Sequence, residues 1–436
     1  MIIFMKTLII NPRLPVLDGI THLPLRVAYM AAVLRCNHFP VDVIDLAIEE
    51  KSDEQLLKEI IKKSPDLIVI DSETTVLETR NFCCALEIAK KIKRAFPEME
   101  IVMTGAHVTF RDLETLKRHK EMSYIIRYEP DYVLTNLVKT LNTNKDLSRV
   151  KGITYRKGRK IIRNSEESPI MNLDKLSFPA RDLFPIQKYL KKDSETIIQG
   201  SRGCTNRCYF CQSSAMDRVL RLRSVPSIIK EVKEVLSLGF KSIFFCDNDF
   251  GISKRRVIQF CKEILREKIK FKWACNMRAD RIENTVSCKE MLALMKKSGC
   301  YRIFMGFETF SNQGLKEINK RIKINNLLTA VTLLKKYKIS LHASFLFGLP
   351  NDTEESIKAT VEFAKKINPE MISFNLLTPF PGTLLGDYPQ KFGITISDKY
   401  WYEKKEYINK PIFGNKYLSP EELEKLQKWA YAYFCS

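Results

Sequence analysis

The sequence predicts an α/β protein in which two different domains follow one another. Short apolar runs alternate with helical segments between residues 6 and 126, a pattern typical of a parallel sheet that helices cover on both faces. Strand-plus-helix units return six times after residue 190, too few to close an eight-stranded barrel but enough for a partial (β/α)6 barrel. The predicted domains are 1–145 for the doubly wound part, 146–190 for a hairpin and linker, 191–385 for the partial barrel and 386–436 for a C-terminal cap.

The first domain is predicted to be Rossmann-like, of the flavodoxin type. Its predicted strands are unbroken apolar runs at residues 6–10, 41–45, 66–71, 101–104 and 124–127. Helical patterns lie between them at residues 23–36, 54–63 and 78–96. Sheets of this kind bind ligands beyond the carboxyl ends of their strands. We therefore expect a ligand at the loops 11–21, 71–75, 105–109 and 127–131.

A hairpin and a linker separate the two domains. Lys157 and Gly158 form the predicted hairpin turn between strands at 153–156 and 160–163, and Pro179 then marks an irregular linker. The predicted barrel strands are 196–200, 242–247, 271–276, 302–307, 341–347 and 371–376, and the predicted helices are 225–238, 254–266, 289–298, 325–337 and 353–366. The aromatic and basic last segment is predicted to begin a helix at Ser419 and to cap the barrel mouth.

The most informative stretch is SRGCTNRCYFCQ at residues 201–212, where Cys204, Cys208 and Cys211 stand in a CxxxCxxC arrangement. Three thiolates on one short loop indicate a metal site, and the next cysteine along the chain is as far away as Cys246. Structural zinc sites usually close with four ligands, whereas a [4Fe–4S] cluster held by three cysteines leaves one iron open to a small molecule. An incomplete zinc knuckle and three buried thiols are the alternatives.

This stretch resembles the cluster loop of the radical S-adenosylmethionine (radical SAM) enzymes. The resemblance implies that Cys204, Cys208 and Cys211 ligate a [4Fe–4S] cluster, and that its open iron chelates the amino and carboxylate groups of SAM. SAM is then cleaved to a 5′-deoxyadenosyl radical, with an electron donor such as flavodoxin or ferredoxin as partner. Phe210 matches the aromatic residue that packs on the adenine in this family, although an ordinary buried Phe would look the same.

Polar residues follow successive predicted strands of the barrel, where βα barrels hold their chemistry. By resemblance, the segment that begins at Asp247 receives the amino group of SAM, while Arg278 and Glu308 reach its carboxylate and ribose, partners that suit a bidentate guanidinium and a carboxylate. The strand before Gly348 matches the one that shelters the adenine. The residues assigned to SAM in this way are Asp247, Asn248, Asp249, Asn276, Arg278, Glu308, Ser344 and Gly348. Helix caps and ion pairs would explain any one of them singly.

The first domain, placed upstream of such a loop, resembles the cobalamin-binding domain of the B12-dependent radical SAM class. The similar segments are HLPLRVAYMAAVLR, VDVIDL, TGAHVTF and IIRYEPD. The Asp-x-His-x-x-Gly signature of other B12 enzymes is absent, and Tyr128-Glu129-Pro130 stands where the family more often has Gly-Glu-Gly. The resemblance implies that cobalamin lies against Gly105, His107 and Glu129. A Rossmann-like domain that binds no cobalamin is the alternative.

Composition places further bounds on function. The formal charge of +21 permits binding to nucleic acid, but the lysines are spread over many predicted helices, which favours a solvated surface without a nucleic-acid partner. No apolar run approaches the ~20 residues of a membrane span, and MIIFMKTLIINP does not have the pattern of a signal peptide, so we expect no membrane partner and a cytoplasmic location. Twelve cysteines then indicate thiols and a cluster in preference to disulfides.

The sequence therefore predicts a radical SAM enzyme, and the first hypothesis is a cobalamin-dependent methyltransferase that acts on an unactivated carbon of a small metabolite or peptide. The first alternative is a cobalamin-independent radical SAM dehydratase, epimerase or mutase acting on a sugar or small metabolite. A non-catalytic iron–sulfur or zinc protein that binds RNA is the alternative from another class. No residue is assigned as catalytic beyond the groups that bind the cofactors.

Overall fold

The computed structural model describes residues 4–13, 22–72, 81–191, 195–217, 219–407 and 410–436. The chain forms two compact units, one made of Met1–Ser194 with Tyr402–Ile408 and the other of Glu195–Trp401 with Asn409–Ser436. Each unit is built on a largely parallel sheet, which confirms the predicted α/β fold class. Across the residues that are described, no helix is both long and apolar enough to cross a lipid bilayer.

The described part of the first unit contains one sheet with the strand order β2-β1-β3-β4-β5-β6-β7. Its strands are β1 Thr7–Asn11, β2 Val41–Asp45, β3 Leu67–Asp71, β4 Glu100–Thr104, β5 Tyr124–Ile126, β6 Ile153–Lys157 and β7 Lys160–Arg163. Its helices are α1 Leu25–Cys36, α2 Leu46–Glu49, α3 Asp53–Lys63, α4 Phe82–Ala95, α5 Ala106–Phe110, α6 Asp112–Arg118, α7 Pro130–Asn142 and α8 Ile186–Lys191. Strands β1 to β5 are parallel, as the alternation of strand and helix patterns predicted.

The centre of this sheet explains why its strands are easy to recognise in the sequence. Every residue of β1 and β3 is buried, because helices cover both faces and neither face meets water. Such strands are continuous apolar runs rather than alternating ones. The hairpin of β6 and β7 extends the same sheet, since β6 pairs antiparallel with β5.

The helices that follow the strand ends differ from the prediction. The predicted loop at 105–109 is wrong, because Ala106–Phe110 is helix α5, a single turn and a half whose β-branched residues give no helical periodicity. Helix α7 was not predicted either, although Pro130 stands in its first turn, where proline is favoured. The start of the predicted helix at 78–96 lies outside the described residues, and α4 begins at Phe82.

In the described part of the second unit, six parallel strands form an open sheet in the order β15-β14-β13-β12-β11-β8, which agrees with the predicted partial barrel. The strands are β8 Thr196–Ile198, β9 Ser201–Arg202, β10 Arg221–Leu222, β11 Ser242–Phe245, β12 Lys272–Asn276, β13 Cys300–Glu308, β14 Ser340–Phe347, β15 Met371–Leu376, β16 Thr395–Ile396 and β17 Phe413–Gly414. The helices are α9 Gln212–Met216, α10 Val225–Ser237, α11 Lys254–Arg266, α12 Val286–Lys297, α13 Asn312–Glu317, α14 Ile324–Tyr337, α15 Glu354–Ile367, α16 Leu384–Asp387 and α17 Pro420–Cys435.

The two faces of this sheet differ in character. Along β14, buried residues such as Phe345 alternate with half-buried residues such as His342 and Ser344, because successive side chains of a strand point to opposite faces. The register pairs Phe304 with His342 and Gly306 with Ser344. We call the face that carries these four residues the inner face, and it is the polar, accessible side of the sheet.

The C-terminal segment contacts two parts of the second unit, the strand β15 and the loop after β14. Helix α17, which begins after the predicted cap Ser419, covers the edge strand β15: Gln427 Nε2 donates to the Phe374 carbonyl at 2.6 Å and the Phe374 N–H donates to the Tyr431 hydroxyl at 3.0 Å. A covered edge cannot pair with another strand. The stretch before the helix reaches the loop after β14, where Asn415 Nδ2 donates to the Leu349 carbonyl at 2.8 Å.

Candidate functional site

The three-cysteine loop leaves the second unit between two short strands. Strands β9 and β10 pair antiparallel, with Arg202 opposite Arg221, so the loop that carries the cysteines is closed at its base. Gly203 stands at the start with φ +89°, and a Cβ there would lie 2.2 Å from the Val219 carbonyl oxygen. Only glycine combines that backbone conformation with so close an approach, which makes Gly203 the turn that starts the loop.

The cysteines are held by the backbone of their own loop. The Cys204 N–H donates to the Asp217 carbonyl at 3.3 Å, and the Cys211 N–H donates to the Cys208 carbonyl at 3.1 Å. Asn206 donates both its backbone N–H and its side-chain Nδ2 to the Cys204 sulfur, each at 3.5 Å. None of the three thiols is in a disulfide bond. Hydrogen bonds to sulfur of this kind are one of the features that tune iron–sulfur clusters.

The electrostatics of the thiols fit a positively charged ligand. Burial raises the pKa of Cys208 to about 11, while the charges of Lys320 and Arg278 act in the opposite direction. Burial also raises the pKa of Cys211, and the charge of Cys204 adds to that effect. Thiols whose pKa is raised, as those of Cys208 and Cys211 are, become thiolates when they bind metal ions.

A [4Fe–4S] cluster and a single metal ion make different demands on the three cysteines. Among the residues that the structure describes, no three His, Cys, Asp or Glu side chains converge as one bound metal ion requires. A [4Fe–4S] cluster makes a different demand, since each of its three thiolates binds a different iron. Cys204, Cys208 and Cys211 are the residues that would supply these thiolates.

Asp247, predicted to meet SAM, lies under the start of the cysteine loop. Its carboxylate is fully buried and accepts hydrogen bonds from the Gly200 N–H at 2.5 Å and the Ser201 hydroxyl at 2.8 Å. The Arg256 guanidinium lies 3.6 Å from the same carboxylate. These bonds fix the chain immediately before the cysteines, and any bond to SAM would have to share the carboxylate with them.

The structure brings the predicted strand-end residues together. Asn276 Nδ2 donates to the Asp247 carbonyl at 3.1 Å, and Asp249 accepts from the Arg278 N–H at 3.3 Å and from Arg281 Nε at 2.8 Å. The neighbouring Asn248 is half-buried. Polar contacts thus join the ends of β11 and β12.

Arg278 and Glu308 both have partners within the chain. The Arg278 guanidinium donates to Asp280 at 3.0 and 3.2 Å and to the Lys320 carbonyl at 2.8 Å. The Glu308 carboxylate accepts from Lys320 Nζ at 2.5 Å. Lys320 was missed in the sequence, because a lysine in the polar run NKRIK carries no signal that it is buried. Binding of SAM by Arg278 and Glu308 stays a prediction.

The remaining predicted SAM residues lie at the inner face and at its carboxyl end. Ser344 accepts a hydrogen bond from Asn375 Nδ2 at 3.0 Å. Gly348 has φ +83° and donates its N–H to Asp352 at 3.0 Å, so it forms the turn after β14. Phe210 is half-buried within the cysteine loop. Their roles toward SAM also stay predictions.

The first unit presents Gly105 and His107 at the carboxyl end of β4. Gly105 has φ +132°, a conformation that favours glycine, and because glycine has no side chain a ligand can approach its backbone closely. The His107 ring is buried between Phe82 and Tyr402, with ring centroids 4.1 and 4.2 Å away. Burial lowers the pKa of His107 well below its usual value, so the ring is neutral. Its Nδ1 atom has no hydrogen-bond partner in the described part of the chain.

The other predicted cobalamin residue, Glu129, accepts a hydrogen bond from the Ile170 N–H at 2.8 Å. Tyr128 takes φ +61°, a left-handed conformation that explains why a glycine would suit this position. Most of the predicted loop 11–21 and part of 71–75 lie outside the described residues. Within the described residues, His107 Nδ1 and Asn11 Oδ1 are buried at this end of the sheet without a hydrogen-bond partner, and a polar ligand bound there could supply one.

Comparison with known proteins agrees with both halves of this description. Residues 198–364 match the radical SAM superfamily, and residues 18–138 match the B12 binding domain. An uncharacterized methyltransferase of Pyrococcus horikoshii is 30% identical over 421 residues, which span 95% of this chain and 88% of the relative. An anaerobic magnesium-protoporphyrin IX monomethyl ester cyclase of Rubrivivax gelatinosus is 26% identical over 413 residues, or 92% of this chain and 71% of the relative.

Solved structures share the fold. TsrM from Kitasatospora setae, a radical SAM methyltransferase solved with cobalamin and a [4Fe–4S] cluster, superposes with a TM-score of 0.75 at 16% identity, covering 97% of this chain and 82% of TsrM. The cobalamin-dependent radical enzyme OxsB gives a TM-score of 0.73 at 21% identity, covering 89% of this chain and 56% of OxsB.

These matches, with the cysteine loop and the two sheets, show that the chain belongs to the family of radical SAM enzymes that carry a B12-binding domain. Its cofactors are a [4Fe–4S] cluster, SAM and cobalamin. The predicted family, enzyme class and cofactors are confirmed.

Proposed function

We propose that this protein is a cobalamin-dependent radical SAM methyltransferase that acts on an unactivated carbon of a small metabolite or peptide. The observation that carries the proposal is the alignment with a relative named as a methyltransferase, which spans 95% of this chain and so includes both units. TsrM, a methyltransferase with the same fold, has been solved with its substrate tryptophan, and this supports a small molecule as the substrate class.

In this proposal the residues of the second unit bind and orient the cluster and SAM. Cys204, Cys208 and Cys211 hold the cluster, while Arg278 and Glu308 lie at the strand ends where SAM would be placed. When bound, the cluster supplies the electron that cleaves SAM, and cobalamin carries the methyl group. A small redox protein such as flavodoxin or ferredoxin would deliver that electron.

The inner face is the proposed substrate surface, and Phe304, His342 and Ser344 form a neutral part of it. Burial, assisted by the charge of Arg302, lowers the pKa of His342 to about 4, so this ring is uncharged at neutral pH. His342 Nε2 lies 2.7 Å from the Ser373 hydroxyl, and its ring packs on Phe304 at 4.1 Å. Together with Ser344 these groups suit a substrate that offers uncharged hydrogen-bonding groups and apolar surface.

A second candidate function is radical cyclisation without methyl transfer. The cyclase of Rubrivivax gelatinosus aligns with 92% of this chain, so cyclisation chemistry also occurs in this part of the family. The two candidates differ in how they consume SAM. Methylation with radical activation converts SAM into both S-adenosylhomocysteine and 5′-deoxyadenosine, whereas a radical cyclase produces only 5′-deoxyadenosine.

The test is anaerobic reconstitution with iron, sulfide and hydroxocobalamin, followed by incubation with SAM and a strong reductant and measurement of both products. We expect both S-adenosylhomocysteine and 5′-deoxyadenosine. A parallel sample without cobalamin is expected to lose S-adenosylhomocysteine and to keep 5′-deoxyadenosine. Formation of 5′-deoxyadenosine alone in the complete sample would favour the cyclase, and formation of neither would contradict both candidates.

A further inference from the structure

A buried ion pair lies on the inner face of the second unit. Lys320 Nζ and Glu308 Oε1 are 2.5 Å apart, and the two residues are 8% and 7% exposed. A Cβ on Gly306 would lie 2.2 Å from that carboxylate oxygen and 2.9 Å from the ammonium nitrogen. The pair therefore occupies the space above Gly306 that any other residue would fill.

The backbone on both sides of the pair is unusual. Glu308 has φ +63° at the point where the pairing of β13 with β14 shifts register. Lys320 stands between Asn319 and Arg321, which have φ values of +52° and +58°. Left-handed conformations are costly for residues other than glycine, and they persist where the surroundings fix them, often at functional sites. A buried ion pair also gives little net stability, so stability alone does not account for this arrangement.

Two hydrogen bonds fasten the Lys320 loop to the cysteine loop. The Tyr209 N–H donates to the Ile318 carbonyl at 3.0 Å, and Asn319 Nδ2 donates to the Arg207 carbonyl at 2.7 Å. Arg207 and Tyr209 stand on either side of Cys208, and Asn319 is the neighbour of Lys320, so these bonds hold Lys320 close to the cysteine loop.

We infer that Lys320, held by Glu308 above Gly306, is a positioning residue whose fixed positive charge raises the reduction potential of the cluster bound by the three cysteines. The inference rests on the proposed cluster site. On reduction the cluster gains one electron from an external one-electron donor, and its charge becomes more negative by one. A nearby buried cation stabilises that added charge and a nearby carboxylate opposes it, because charges interact strongly away from water.

The experiment measures the midpoint potential of the cluster by redox titration, followed through the electron paramagnetic resonance signal of the reduced cluster, without SAM. Lys320→Met is expected to shift the potential to more negative values, and Glu308→Gln to more positive ones. Lys320→Arg keeps the charge and should stay near the native value, as should the control Lys316→Met, which alters an exposed lysine in α13. General damage to the site would not shift the midpoint potentials of Lys320→Met and Glu308→Gln in opposite directions.

Equal potentials in the native protein, Lys320→Met and Glu308→Gln, at matched iron content, would overturn the inference while leaving the cluster site intact. A shift of both variants in the same direction would also contradict it. If Lys320→Met fails to assemble a cluster, the midpoint potential of Glu308→Gln, compared with that of Lys320→Arg, still shows whether removing the carboxylate shifts the potential in the expected direction. Native protein that shows no [4Fe–4S] signal after reconstitution would refute the cluster site itself, a different result from an unchanged potential.

Discussion

At the scale of single residues, Cys208 is the most deeply buried of the three proposed ligands. With its pKa raised to about 11, the free thiol is protonated at neutral pH and must lose its proton on binding iron. We predict that Cys208→Ala, Cys204→Ala and Cys211→Ala each abolish both the visible absorption of the cluster and the formation of 5′-deoxyadenosine. Cys435→Ser, which changes an exposed cysteine, is the control and should behave as native protein. Any of the three alanine variants that still cleaves SAM would remove that cysteine from the site.

Asp352, in the loop after β14, is expected to make the stability of the folded protein depend on pH. Its carboxylate accepts from the Gly348 and Leu349 N–H groups at 3.0 and 2.9 Å, yet burial raises its pKa from 3.8 to about 7. Since the folded-state pKa is raised, the protonated acid stabilises the fold below about pH 4, and this contribution is lost as pH rises to about 7, by at most about 1.4 kcal/mol per pH unit. We predict that native protein loses stability relative to Asp352→Asn between pH 5 and 7 and shows no further relative change above pH 8.

Urea unfolding of both proteins at each pH measures this difference. Asp352→Asn keeps the side-chain shape and removes the titration, so effects of other groups on the pH profile are shared by the two proteins. A constant difference in unfolding midpoint across the range would show that Asp352 does not titrate there.

Residues that follow a strand were identified from the sequence, and residues on irregular loops were not. Asp249 and Arg278 lie in one network because parallel strands bring their carboxyl ends to the same edge, a rule that needs no coordinates. Lys320 reaches the same network from a loop with left-handed residues on both sides, and no sequence rule predicts that path. His107 was predicted correctly to lie at its strand end, but its aromatic neighbour Tyr402 is 295 positions further along the chain.

At the scale of elements, the cysteine loop depends on the backbone at Gly203. Its φ of +89° and the Val219 carbonyl oxygen, 2.2 Å from the place that a Cβ would take, leave no space for alanine. Gly158, in the turn between β6 and β7, also has a positive φ of +57° but no atom within 4 Å of the corresponding place. We predict that Gly203→Ala lowers the iron content after reconstitution, whereas Gly158→Ala keeps it and costs only the strain of the left-handed backbone, about 1 kcal/mol.

Iron per chain and the thermal unfolding midpoint, measured on both variants after identical reconstitution, test this prediction. The matched pair separates the crowding at Gly203 from the cost of positive φ that both positions share. Full iron loading of Gly203→Ala would show that the loop has another way to begin.

Elements with a strong apolar pattern were predicted closely. Strands β2 and β15 and helix α11 have the predicted bounds, because a short run rich in apolar residues or a regular helical stripe is visible in a single sequence. Helices α5 and α6 were missed because they are short, at five and seven residues, and a stripe needs several turns to be recognised.

At the scale of the whole molecule, the order of motifs along the chain predicted two domains, but one contribution to the first unit could not be predicted. Tyr402–Ile408 belongs to the first unit. Glu403 accepts two hydrogen bonds from the Arg118 guanidinium, each at 2.9 Å, and lies 3.0 Å from His119 Nε2. The partners are about 285 residues apart in sequence, and no local pattern reports a pairing at that separation.

The division into two units leads to the last prediction, because the proposed cobalamin and cluster residues belong to different units. If each unit binds its own cofactor, Cys208→Ala should lose iron and keep cobalamin after desalting. Gly105→Val should do the reverse, since φ +132° is a conformation that a β-branched residue cannot adopt without moving the backbone at the end of β4. Iron analysis and the visible spectrum of cobalamin, measured on the same reconstituted samples, give both readouts. Loss of both cofactors from both variants would mean that binding is coupled across the molecule, and retention of cobalamin by Gly105→Val would place the cofactor away from the β4 strand end.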